Sequence, residues 1–125
     1  MRLLAWTTVL LGVLSFAVGC GDDGGETEEH ELPDVECEGA DVPAFDEVAA
    51  FEKCTMCHSS ELMGPDRNGA PEDDNWDDYE EAVEHAELIA HEVFEGEMPP
   101  AASGITLTAA EEEELYLWAL CGTPQ

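Results

Sequence analysis

The sequence predicts an all-α protein, and three observations carry that expectation. After residue 20 there is no Val/Ile-rich run with the two-residue alternation of a strand. Apolar residues recur instead at spacings of three and four in three separate stretches. Helix punctuation frames them: Thr108-Ala109-Ala110-Glu111 has the form of a capping box, Gly122 stands where a last helix should stop, and Gly64 to Pro71 is turn chemistry throughout.

In chain order, Met1-Arg2 precedes the apolar run Leu3 to Val18, which reads as a secretory signal over residues 1–19. It is too short for a comfortable membrane span, which takes about 20 apolar residues, and nothing later is apolar enough to be one. Ala17-Val18-Gly19-Cys20 resembles the lipobox of bacterial lipoproteins, with Ala17 where Leu is more usual. The resemblance implies acylation of Cys20 and a protein exported to the periplasm or cell surface on a lipid anchor. Residues 20–36 are rich in Gly, Asp, Glu and Thr; with too little apolar surface to offset ordering entropy, they are expected to form an acidic tether, His30 included.

The remaining chain, 37–125, is long enough for one small domain of modest core. Val42 to Lys53 has Pro43 near a helix start and Phe45, Val48, Ala49 and Glu52 at helical spacing, so a first helix is expected to run straight into Cys54. Asn75 is the expected N-cap of a single long helix whose stripe is Tyr79, Ala82, Val83, Ala86, Ile89, Ala90, Val93 and Phe94, ending near Gly96. A last helix follows Thr108, with Leu115, Trp118 and Ala119 inward.

Cys54-Thr55-Met56-Cys57-His58 is the string on which chemistry can be read. C-x-x-C-H is the attachment sequence of a c-type haem. Thiols three residues apart on one helical turn share a face and reach the two vinyl groups of one porphyrin. The adjacent imidazole, His58, is then an axial donor to iron. A bare C-x-x-C also occurs in thioredoxin-like redox pairs and in zinc sites. The first goes with a βαβ pattern absent here, and the second needs two more clustered ligands. With Cys54 and Cys57 on haem and Cys20 on lipid, Cys37 and Cys121 remain, and in an oxidising compartment they are expected to pair.

Met98-Pro99-Pro100 is the second signal. A thioether is a soft, weak donor that iron accepts opposite histidine, and two prolines stiffen the loop that would hold it. Met98 is the candidate sixth ligand, against the alternative of a methionine filling a core gap. Met63 is read as such a filler, and Met56 is excluded because it lies inside the attachment loop. His85 and His91 are six apart, too far out of register for a helical metal pair, and are read as helix-surface residues that would be tested if Met98 failed.

With both signals in place, residues 42–122 resemble the monohaem class I cytochromes c. The resemblance implies three or four helices wrapped around one covalently bound haem, with the first and last helices packing Phe45 or Val48 against Leu115 and Trp118. It also implies a proline carbonyl after His58 that accepts from the imidazole, with Pro71 the best match and Pro65 the next. Arg67 is a candidate partner of a haem propionate, a free surface charge being the alternative.

Beyond residue 20 stand all 31 acidic residues against two cations, Lys53 and Arg67, for a formal charge of about −29. That repels nucleic acids and anionic lipid surfaces, and it would steer in a partner with a basic docking face. Equally, it suits a surface built for solubility. His/Met ligation leaves iron no open position, so the expected function is single-electron transfer between redox partners. The alternatives are a haem enzyme or sensor with a vacant sixth site, and a haem-free binding module.

Overall fold

The computed structural model describes residues 31–125. The signal, Cys20 and His30 lie outside that range. Among the described residues there are four α-helices and no strand: α1 (Ala50–Cys54), α2 (Tyr79–Glu84), α3 (Ala86–Phe94) and α4 (Ala109–Leu120). Single 3-10 turns occupy Phe45–Glu47, Gly64–Arg67 and Ala101–Ser103. None of these helices is long and apolar enough to cross a membrane.

The last helix forms as its letters direct. Thr108 Oγ1 accepts from Glu111 N–H while Glu111 Oε2 accepts from Thr108 N–H, satisfying two orphan donors at once. At the other end Gly122 takes φ +109°, and Thr123 N–H donates back to Trp118 O at 3.0 Å, the closure of a Schellman motif. Leu115, Trp118 and Ala119 are buried, and α4 packs on α1 and α3. Trp118 meets Phe45 and Phe51 at ring distances of 5.7 and 5.0 Å, so the first and last helical segments do meet, with Phe51 as the larger contact.

Two expected helices are broken. The run from Val42 to Lys53 splits at Val48, which is extended (ψ 97°), leaving a 3-10 turn and a short α1. The cause is tertiary: Phe45 N–H donates to Pro124 O at 2.9 Å, which ties that turn to the C-terminal strand of chain instead of the α1 axis. The stripe from Tyr79 to Phe94 is interrupted at His85, whose φ −106° and ψ 12° separate α2 from α3. The N-cap is Asp78, whose Oδ1 accepts from the Glu80 and Glu81 amides; Asn75 is occupied elsewhere.

Composition places residues 31–36 in the acidic tether, but Leu32 packs against the core and the Glu31 carbonyl accepts from His91 Nδ1 at 2.9 Å. Cys37 and Cys121 form a disulfide, joining this segment to the end of α4.

Candidate functional site

The two thiols and His58 reach one place because α1 does not end cleanly. Beyond Cys54, the amides of Cys57 and His58 both bond back to the Cys54 carbonyl, at 3.1 and 2.9 Å, so the chain turns once more and keeps Cys54, Cys57 and His58 on one wall. That wall faces a cavity of about 340 Å³. Leu88, Ile89 and Val93 of α3 line it as well, with Met98, Pro99, Pro100 and Ile105. Burial pushes the Cys54 thiol up to about 11, so it stays protonated at neutral pH.

Met98 arrives on the cavity through the end of α3. Gly96 (φ +73°) stops the helix, and the amides of Glu97 and Met98 both donate to the Glu92 carbonyl, at 2.9 and 3.0 Å. The methionine is thus set one step past a helix cap. Apart from His58, Met98 is the only methionine or histidine among the described residues that lines the cavity. Met63 and Met56 are exposed, at 76 % and 60 %. His85 lies against Trp76, and His91 is bonded to the Glu31 carbonyl.

His58 is buried and held on two sides. Its Nδ1 is 3.1 Å from the carbonyl of Asp74, which can only accept, so Nδ1 carries the proton and Nε2 keeps its lone pair. Trp76 stacks on the ring (5.1 Å, 20° between planes), and its N–H donates to the His58 carbonyl at 2.8 Å. Burial lowers the His58 pKa, favouring the neutral imidazole, which is the form that binds a metal. The acceptor is Asp74 and not Pro71, although Arg67 Nη2 donates to both carbonyls.

Arg67 has a different neighbourhood from the one expected of a propionate partner. It is 2 % exposed, and every N–H direction has an acceptor. Nε donates to Ala70 O, Nη1 to Ser59 O and Asn75 Oδ1, and Nη2 to the carbonyls of Pro71 and Asp74. Arg67 is among the residues that line the cavity, and its fork gathers the loop of residues 59–75 around itself. Asp77 closes the same loop from outside, accepting from the Ser59 and Ser60 hydroxyls and the Ser60 amide. Burial opposes ionisation of Asp77, but those donors outweigh it and hold its carboxyl below the usual range.

At the cavity rim, Lys53 Nζ spans Glu111 Oε2 (2.7 Å) and Thr106 O (2.9 Å), fastening α1 to the start of α4. The sequence pattern assigns no role to Trp76 or Asp74 and marks Asn75 only as a helix N-cap. Trp76 carried one usable signal: a single large apolar residue in the otherwise polar run from Pro71 to Asp78 has to be buried against something. Asp74 acts through its main chain, which no side-chain pattern reveals.

Among the described residues no three His, Cys, Asp or Glu side chains gather as a metal cage; the residues that line the cavity include two cysteines, His58 and Met98, with Asp74 and Glu92 as the carboxylates. Comparison of the chain with protein-family models, with characterised proteins and with solved structures returned no match. What the geometry defines is therefore a class of its own description: a small all-α domain that presents this donor set to one largely apolar cavity.

Proposed function

We propose that the particular member of that class is an exported monohaem cytochrome c, carrying single electrons between protein partners. One observation carries the reading: Cys54, Cys57, His58 and the distant Met98 line the same cavity. The residues fit the group. The thiols have the spacing for two thioether bonds, His58 is neutral with Nε2 available, and Met98 is the soft donor that pairs with it on haem iron. Bound there, the haem supplies an iron centre that cycles between ferrous and ferric.

The chain's own residues do the rest. Cys54 and Cys57 tether the group, Trp76 and Asp74 fix the plane of the His58 ring, and Leu88, Ile89, Val93 and Ile105 exclude water. Were His58 and Met98 both to hold the iron, no coordination position would be left for substrate chemistry. The acidic surface suits a partner with a basic docking face and no nucleic acid. Export on a lipid at Cys20, to the periplasm or cell surface, belongs to the same proposal.

The test is expression with a haem-attachment system, followed by haem staining after denaturing electrophoresis and a visible spectrum. One covalent haem with a thioether–iron band at the red edge of the ferric spectrum is expected. Covalent haem surviving Cys54→Ala, Cys57→Ala would overturn the reading. Met98→Ala should keep haem attached, lose that band, lower the reduction potential and admit added imidazole or cyanide, while Met63→Ala changes none of these. A high-spin ferric spectrum in the unmodified protein would point instead to the sensor or enzyme alternative.

A further inference from the structure

Arg67 is the most fully buried charge in the described chain, and no carboxylate stands within ion-pairing distance of it. A guanidinium in that position normally has an anion beside it, because desolvating a cation is costly unless its donors are all used. Here they are used on main-chain oxygens, with one amide side chain. Asn75 Oδ1 accepts at 2.9 Å and is fixed in turn by Asn75 Nδ2 donating to Glu72 O at 3.2 Å. The fork is therefore held rigidly within its socket.

One of those oxygens has a second donor. The Asp74 carbonyl accepts from Arg67 Nη2 at 2.9 Å and from His58 Nδ1 at 3.1 Å. A carbonyl has two lone pairs, so both bonds are satisfied together. At the near end of the same loop, Arg67 Nη1 takes the carbonyl of Ser59, the residue after His58, at 2.6 Å. Arg67 thus grips the chain immediately after the histidine and the oxygen that orients its ring.

We infer that Arg67 is the positioning residue of His58: its guanidinium sets the Asp74 carbonyl against the imidazole and so fixes ring orientation and tautomer. This rests on His58 being the iron ligand. It departs from a propionate-pairing role, since the donors such a pair would need are already engaged. It also explains why the cation is an arginine. A lysine ammonium has three donors from one point and no planar fork, so it cannot hold Ser59 O and Asp74 O apart at fixed separation.

The experiment follows exchange of the His58 Nδ1–H proton by NMR in the ferrous holo-protein. Two amides serve as references, because bonds without Arg67 hold them: Trp76 N–H on His58 O and Ser60 N–H on Asp77. In Arg67→Lys the Nδ1–H proton should exchange at least about tenfold faster while both references keep their rates, the size expected when one hydrogen bond of ordinary net strength is lost. If all three accelerate together, Arg67 merely holds the loop shut, and the inference is wrong. Unchanged Nδ1–H exchange also overturns it.

A second measurement needs no variant. In the unsubstituted protein the Arg67 Nη–H and His58 Nδ1–H protons, each rate taken relative to that of the free side chain, should be protected to within about tenfold of each other, since one opening releases both. Arg67 protons far less protected would show that the histidine keeps its carbonyl without them. Should the chain take up no haem, the cytochrome reading fails on its own, and the same exchange comparison on the haem-free protein still decides whether Arg67 holds His58.

Discussion

The segment behind His58 and the segment that carries Met98 bracket the same cavity, yet they are built from different bonds. Residues 59–78 are knitted by side chains: Arg67 and Asp77 between them engage carbonyls, amides and hydroxyls from Ser59 to Asp74, with Trp76 as the one large buried ring. Residues 95–105 are set by backbone conformation. Gly96 turns the chain, Glu92 O collects two amides, and Ser103 bonds to Pro100 O. The contrast teaches where each donor is vulnerable. His58 depends on a few side chains that hold the main-chain oxygens of its loop, and Met98 depends on φ and ψ.

The Cys37–Cys121 disulfide lies outside both segments and sets the scale of any test. It closes a loop with sequence separation 84, so replacing both cysteines by Ser should lower unfolding free energy by up to about 4.5 kcal/mol, read from urea or thermal melts. Next comes the side-chain-built segment. Arg67→Ala takes from the Ala70 carbonyl and from Asn75 Oδ1 their donor, removes one of the donors to the carbonyls of Ser59, Pro71 and Asp74, and opens a void, at a cost of about 3 to 4 kcal/mol. A loss below about 1 kcal/mol in denaturant titration would break the comparison.

The backbone-built segment answers to a smaller change. No atom lies within 4 Å of a Cβ added at Gly96, so Gly96→Ala meets only the φ of +73° and should cost about 1 kcal/mol. Its larger effect should be on Met98: weaker thioether ligation, seen as partial loss of the ferric band at neutral pH, with covalent haem intact.

The smallest effect is at the rim. Glu111 is held down to about 2 from an ordinary 4.5, first by the Lys53 ammonium and then by the Thr108 amide and hydroxyl. A carboxyl depressed on folding contributes stability above its unfolded value and loses it as pH falls through its folded one. Melting temperature should therefore decline between about pH 4.5 and 2 more steeply in the native protein than in Glu111→Gln. Equal slopes would remove Lys53–Glu111 from the account.

What the sequence made legible follows the range over which each interaction acts. The Thr108 cap, the Gly96 and Gly122 stops and the inward face of α4 are written in neighbouring letters, and they stand in the structure. The break at His85 is not: no Gly or Pro marks it, and the apolar stripe runs on through it. There the ring lies 5.5 Å from Trp76, a contact that only the folded chain supplies. Asn75 and Asp78 are both good N-cap letters, and the choice between them falls to Arg67, which takes the Asn75 side chain. The expected Pro71 carbonyl gave way to that of Asp74, and Arg67 bonds to both. Main-chain acceptors carry no residue identity, so an interaction that ends on one is invisible until the backbone is placed.

The closure of Cys37 on Cys121 also has a mechanical meaning. A pull applied between Glu31 and the C-terminal residues passes through the sulfur–sulfur bond and leaves everything from Cys37 to Cys121 in a covalent ring beside the line of force. Both cavity walls lie within that ring. Stretching the oxidised protein end to end in a force spectrometer should therefore release only the short stretches outside it. The reduced protein, by contrast, should lengthen by the whole domain.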